Sequence, residues 1–207
     1  MPPKFKFTKD EIVNAAVNVT RRIGLNYLTS RDIAKELGVS TQPVFTCFSN
    51  MNEAKKEVCL ATEKIFDEHV LKGLNDYVPF FGFGKAYIDF AKTEPKLYEL
   101  LFLSPANEYS KGAISAMKNI QDAIRPSLVK IYKLTDEQAD RYFRDLWLVV
   151  HAVCTLIVTN CCPYSDEEIS AILSGFSLSV CKSIKEIEGF VENTYDKNAL
   201  FSELVKK

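Results

Sequence analysis

Thr41, Gln42 and Pro43 follow one another where a short helix would begin. Around them stand the hydroxyls of Thr29, Ser30, Ser40 and Thr46, the amide of Asn50 and the ammonium of Lys55. A carboxamide such as Gln42 has the donor and acceptor needed for the N6 and N7 of adenine, while Thr41 or Pro43 can rest on a thymine methyl. The remaining hydroxyls, amide and cation match phosphate oxygens, contacts that position a protein on a duplex without reading its sequence. Thr29 and Ser40 have a plainer use as helix caps, and both readings stand at this point.

Two helices must hold these groups. Thr29 and Ser30 are N-cap types, and Asp32, three places after Thr29, completes a capping box, so a helix starts there. Ile33, Ala34 and Leu37 share one face, and Gly38 suits a left-handed C-cap, so that helix stops at Leu37. Ser40 is expected to cap the next helix, with Pro43 in its first turn, where a missing N–H removes no intrahelical bond. Val44 and Phe48 then point inward. The short link Gly38-Val39-Ser40 between two brief amphipathic helices suits a helix-turn-helix, whose second helix enters the DNA major groove. Upstream, Thr8-Lys9-Asp10-Glu11 opens a helix with Ile12, Ala15, Ala16, Val19 and Ile23 on one stripe and Gly24 at its end, completing a three-helix unit. Pro2, Lys4 and Lys6 before it form a basic arm or a solvated tail.

The charge distribution agrees with this placement better than the total does. Net charge over the 207 residues is −1, but Met1 to Lys56 holds nine Lys or Arg against five Asp or Glu, a balance of +4, which leaves −5 for the remainder. A local basic excess is what attraction to phosphates requires. Six cysteines without a secretory leader indicate a reducing, cytoplasmic setting rather than a disulfide framework. No CxxC occurs and only His69 and His151 offer imidazoles, so no metal or other cofactor is expected. The most apolar run, Leu146 to Cys162, contains His151, Thr155, Thr159 and Asn160 and falls short of the roughly 20 residues of a membrane span. No carboxylate pair, Cys-His arrangement or phosphate-cradling glycine loop points to an enzyme.

The rest of the chain reads as helices, making the fold class all-α. Ser49 and Asn50 are cap candidates for a fourth helix running to about Leu74, with Val58, Ile65 and Phe66 among its apolar positions. Tyr77 to Phe83, with Pro79, Gly82 and Gly84 nearby, reads as a loop. Helical character resumes from Ala86, and Pro95 begins a new short helix. Asn107 to Leu134 forms a longer helix containing Ile114, Met117, Ile120 and Ile124, which Pro126 should kink or divide. Capping boxes at Thr135 and Ser165 open two long helices, roughly Asp136 to Asn160 and Asp166 to Ile187. In the second, Ile169, Ile172, Leu173, Phe176, Val180, Ile184 and Ile187 form a stripe beside a thin strip of Ala171, Ser174 and Gly175 that permits close helix approach. A terminal helix is expected from Lys197 to Val205.

Arg31, Ile33, Ala34, Gly38, Val39, Ser40, Phe45, Phe48 and Asn50, in that order, make the region resemble the DNA-binding domain of the TetR family of transcriptional regulators. Phe90, Ala91, Pro95, Tyr98 and Phe102 resemble a recurring segment of that family's C-terminal domains. Trp147 and His151 resemble a Trp-x-x-x-His-Gly signature in which Ala152 here replaces the glycine. The resemblance implies a helix-turn-helix domain over residues 1–52 and a helical effector-binding and dimerisation domain over residues 53–207. It implies a homodimer on a palindromic DNA operator, a repressor released when a small molecule binds; the lining residues point to an aromatic or apolar compound, and the acidic balance of the region leaves a cationic one open. Tyr87, Phe90, Tyr98, Phe102, Met117, Trp147 and His151 would line the pocket, or pack a core, and Cys59 to His69 would couple the domains. Phe45 stands where a Tyr hydroxyl commonly meets a phosphate, and Cys47 and Met51 also replace polar family residues. These departures favour modest DNA affinity or compensation by the N-terminal lysines and Lys55 or Lys56, and they leave open a helical sensor or adaptor of the same fold with weakened or lost DNA binding.

Overall fold

In a computed structural model, residues 7–73, 79–105, 109 and 112–205 are described, and they form helices and connections without strands. The basic arm at Pro2, Lys4 and Lys6 and the first part of the expected 77–83 loop lie outside these residues. Helix α1 (Lys9–Ile23) starts at a complete capping box between Thr8 and Glu11. It buries Ile12, Ala15, Ala16 and Val19, but Ile23 at its end is exposed and leaves the expected stripe. A 3-10 turn (Leu25–Tyr27) leads to α2 (Ser30–Leu37), where Thr29 and Asp32 cap each other and Gly38 closes the helix at φ 66°, ψ 36°. That left-handed backbone favours glycine.

The next helix, α3 (Gln42–Cys47), begins one residue later than expected. Its N-cap is Thr41 and not Ser40, and no side chain caps it. Thr41 already has φ −73° and ψ −11°, so its hydroxyl is not set over the first turn as that of an extended cap residue would be. The Asn50 Oδ1 accepts the Glu53 N–H at 3.0 Å and opens α4 (Met51–Gly73). Ala54, Val58, Thr62, Phe66 and Val70, four residues apart, form the buried edge of α4.

Helix α5 (Pro79–Thr93) corrects the expected loop, because Gly82 and Gly84 lie inside it. The reason is tertiary. A Cβ on Gly73 would stand 2.5 Å from the Gly82 carbonyl oxygen, so the end of α4 and the start of α5 meet backbone against backbone. Glycine here serves close approach instead of a turn. Then come α6 (Pro95–Tyr98), a π-helical turn (Glu99–Leu103) and α7 (Ala113–Tyr132), which runs undivided through Pro126. Residues 107, 108, 110 and 111 of the expected 107–134 helix are outside the description. The capping boxes at Thr135 and Ser165 open α8 (Asp136–Val158) and α9 (Asp166–Glu186), and α10 (Lys197–Val205) follows. On α9 only Ile169, Val180 and Ile184 are buried, while Ile172 and Phe176, expected on the inner stripe, are exposed. The buried side chains form one connected core from Ile12 to Ile184, with α1 packed on α2, α4 and α6.

Candidate nucleic-acid interface and ligand cavity

Helix α3 has two distinct sides. Val44 is fully buried, and Phe48 just beyond the helix is 2% exposed, which anchors the segment on the core. Burying side chains of this size contributes about 1.5–3 kcal/mol each. Gln42, Phe45 and Thr46 occupy positions i, i+3 and i+4 on the opposite side, and all three are exposed. Thr29, Ser40 and Asn50 are also exposed, whereas Ser30, Thr41, Pro43 and Lys55 are half-buried. The outward face is thus a carboxamide, a hydroxyl and an aromatic ring.

Several of these polar groups already have partners. The Asp32 carboxylate accepts from the Thr29 N–H at 3.1 Å and from its hydroxyl. Thr46 Oγ1 donates to the Gln42 carbonyl at 2.9 Å. Asn50 uses its oxygen as a cap, which leaves its amide protons to face outward. Three of the basic residues counted in the sequence are neutralised: Lys9 by Glu57, Arg21 by Glu94 and Arg22 by Glu36. Among the described residues, Arg31, Lys35, Lys55 and Lys56 have no ion pair and remain for phosphates. Tyr27, 75% exposed, and Arg31 flank Thr29 and Ser30 in the chain, and no local pattern marks Tyr27 as exposed.

The aromatic residues of the second region converge. Phe66 of α4 has its ring centroid 5.5 Å from Tyr87, 5.2 Å from Phe90 and 4.9 Å from Phe102. Tyr98 lies 4.9 Å from Phe102 and Trp147 lies 5.6 Å from His151. These edge and tilted contacts suit the ring quadrupoles. A short polar chain runs through the cluster: Trp147 Nε1 donates to Tyr87 Oη at 3.4 Å, and Tyr98 Oη lies 2.8 Å from His151 Nδ1. Burial holds the His151 imidazole below its ordinary pKa and pushes the Tyr98 phenol up, so both groups are kept neutral. Tyr87, Phe90 and Tyr98 are fully buried, and Phe102, Met117 and Trp147 nearly so. Phe66 was missed as a member of this cluster, although its place in the expected fourth helix was clear.

Space for a ligand opens elsewhere. A cavity of about 1240 Å³ lies between α5 and α9, with the end of α4 and Tyr132 of α7 at its margins. Phe81, Ile88, Ile169, Leu173 and Leu178 give it apolar walls. None of the seven aromatic-region candidates lines it, because Tyr87 and Phe90 project from the opposite side of α5 into the core. His69 of α4 faces Asp89 of α5 at 3.2 Å on the rim. The element that carries Asn50 beside α3 therefore also touches both the aromatic cluster, through Phe66, and the cavity, through His69. The Cys59 thiol between them is fully buried, with its pKa pushed up to about 11 by burial, so it is a packing group and not a nucleophile. Among the described residues, no helix is long and apolar enough to cross a membrane.

Residues 80–171 match the family described as tetracyclin repressor-like, C-terminal domain. No curated protein sequence matches the chain. Solved structures of similar fold include a transcriptional regulator from Rhodococcus sp. Rha1, which is 16% identical, with 86% of this chain and 97% of that one covered at a TM-score of 0.59. The fatty acid degradation regulator FadR from Bacillus halodurans is 17% identical over 84% of this chain and 98% of its own, at a TM-score of 0.57. The multidrug binding protein EbrR complexed with malachite green is 17% identical over 84% and 98%, at a TM-score of 0.56. At these identities the likeness is one of fold.

Proposed function

We propose, for a chain that has the fold of TetR-family transcriptional regulators and carries a tetracyclin repressor-like C-terminal domain, the role of a DNA-binding repressor released by a small molecule. The observation that carries this reading is the α3 face of Gln42, Phe45 and Thr46, turned to solvent by the burial of Val44 and Phe48 behind a capped α2. On DNA, Gln42 and Thr41 would reach base edges, while Ser30, Ser40, Asn50 and Lys55 would hold phosphates. Residues 1–52 then act as the DNA-binding domain and residues 53–207 as the effector-binding and dimerisation domain, in a cytoplasmic homodimer.

The outer faces of α8 and α9 support the dimer. Leu148 is 51% exposed and Phe176 37%, and a Cβ on Gly175 would meet nothing in its own chain. Exposed apolar side chains beside a glycine with open space around it suit a twofold partner. The α5–α9 cavity is the seat of the effector, and the packed aromatic cluster transmits its occupancy to α4. A shift of α4 would change the spacing of the two recognition helices, which must match half-sites about one DNA turn apart.

One observation favours a second reading, a sensor or adaptor without DNA binding: the exposed Phe45 brings no polar group to the outward face, and the Thr29 and Thr46 hydroxyls are engaged within the chain. Selection from a random duplex pool with the purified protein separates the two. Enrichment of a palindromic sequence is expected, and a pool that stays unenriched overturns the repressor reading.

A further inference from the structure

The cavity between α5 and α9 has an uneven charge pattern. Its lining includes one histidine, three lysines and two aspartates: His69, Lys72, Lys85, Lys92, Asp89 and Asp166. Lys92 is ion-paired with Asp166, and His69 Nε2 lies 3.2 Å from an Asp89 carboxylate oxygen. Lys72 and Lys85 have no ion pair among the described residues, although the region outside the first 56 residues is acidic overall. The lining thus carries three lysines against two aspartates, and Lys72 and Lys85 have no carboxylate within ion-pair distance among the described residues.

The pairs also fix the shape. Lys92 near the end of α5 meets Asp166 at the start of α9, so that end of the cleft is closed by an ion pair. Phe81 to Lys92 marks out a wall of about 16 Å at the rise of a helix. Lys72 and Lys85 lie toward the other end, where Gly73 and Gly82 bring α4 and α5 together. Between the ends Ile88 on one side and Leu173 on the other supply apolar surface, interrupted by the hydroxyls of Ser170, Ser174 and Ser177.

From this arrangement we infer that the cleft takes an elongated organic anion, its apolar body between α5 and α9 and its carboxylate or comparable head group on Lys72 and Lys85. Desolvated apolar surface supplies affinity, and two unmatched ammonium groups select the sign of the head group. The assignment rests on reading the protein as an effector-controlled regulator and specifies the chemistry of that effector.

Calorimetric titration of the DNA-free, full-length protein tests it with three probes of equal chain length: dodecanoate, dodecanol and dodecyltrimethylammonium, each below its micelle concentration. Dodecanoate is expected to bind at least tenfold more tightly than the other two. The double variant K72A/K85A, altered at two exposed positions, should lose that preference while retaining dodecanol binding. Ser174→Trp, which fills the cleft from α9, should weaken all three. Equal affinity for the three probes, or a dodecanoate preference that survives K72A/K85A, overturns the inference. So does a protein that binds none of them and becomes monomeric by sedimentation in Ser174→Trp, because the cleft is then covered by a second copy. Since DNA is absent, failure here leaves the selection of a palindrome untouched, and failure of that selection leaves the head-group preference standing.

Discussion

The Nε–H of Arg21 on α1 lies 3.0 Å from both carboxylate oxygens of Glu94, the residue that precedes α6. This contact joins the three-helix unit to the segment that supplies Tyr98 and Phe102 to the aromatic cluster. It is a second tie between the two regions, independent of the continuous helix α4. Both side chains are partly shielded, at 35% and 24% exposure, so the pair is worth more than a fully solvated one but remains modest. In a double-mutant cycle of Arg21→Ala and Glu94→Ala, urea unfolding should reveal a coupling energy of about 1 kcal/mol. Strict additivity would mean the two charges do not interact in solution.

Gln42 is the one side chain on the outward face of α3 with a bidentate donor and acceptor. Gln42→Ala should reduce affinity for the selected duplex by about 1–3 kcal/mol and relax preference at a single position of each half-site. Lys55→Ala should instead weaken binding to all sequences and flatten the salt dependence by about one charge. Competition assays against single-base variants of the duplex read both effects. If Gln42→Ala leaves every position equally discriminated, base reading belongs to other residues.

Gly73 and Gly82 make a prediction about stability. A methyl at residue 73 would press on the Gly82 carbonyl oxygen at 2.5 Å and its carbon at 2.9 Å, both backbone atoms that cannot rotate away. Gly73→Ala should therefore destabilise the fold by about 1–3 kcal/mol through overpacking, despite alanine's better helix propensity. Gly175→Ala, with open space around its Cβ, should leave the stability of the isolated chain nearly unchanged and act on dimerisation instead. Thermal unfolding and sedimentation equilibrium distinguish the two effects.

Helix boundaries were legible where their determinants are local. Thr8 with Glu11, Thr29 with Asp32, Thr135 with Gln138 and Ser165 with Glu168 each close a hydrogen-bonded box within one turn, and each opens a helix where the pattern placed one. Gly82 and Gly84 misled because glycine marks either a turn or a close approach, and only the position of Gly73 decides between them. The aromatic residues could be grouped by type, but whether they enclose space or fill it depends on how Phe66 enters from α4. The charge of the cleft was hidden for the same reason. A regional excess of −5 says nothing about which carboxylates are matched, and the pairs His69–Asp89 and Lys92–Asp166 join residues far apart in the chain.

His151 provides a pH dependence with a definite sign. Burial holds its folded-state pKa below the ordinary value near 6.5, so the unfolded chain binds the proton first. Its contribution to stability is complete above about pH 6.5, declines as pH falls through that value, and levels off below the folded-state pKa. The difference in urea stability between wild type and His151→Gln should follow this course. A difference independent of pH would show that His151 remains equally protonated in both states.

The central claim is that α3 reads DNA as one of a twofold pair, and hydroxyl-radical footprinting of the selected duplex tests it most directly. Two protected half-sites related by a dyad and centred about 34–36 Å apart are expected, with protection lost from both in Gln42→Ala at protein concentrations that saturate wild type. A single protected site, or an unchanged footprint in the variant, would contradict the account.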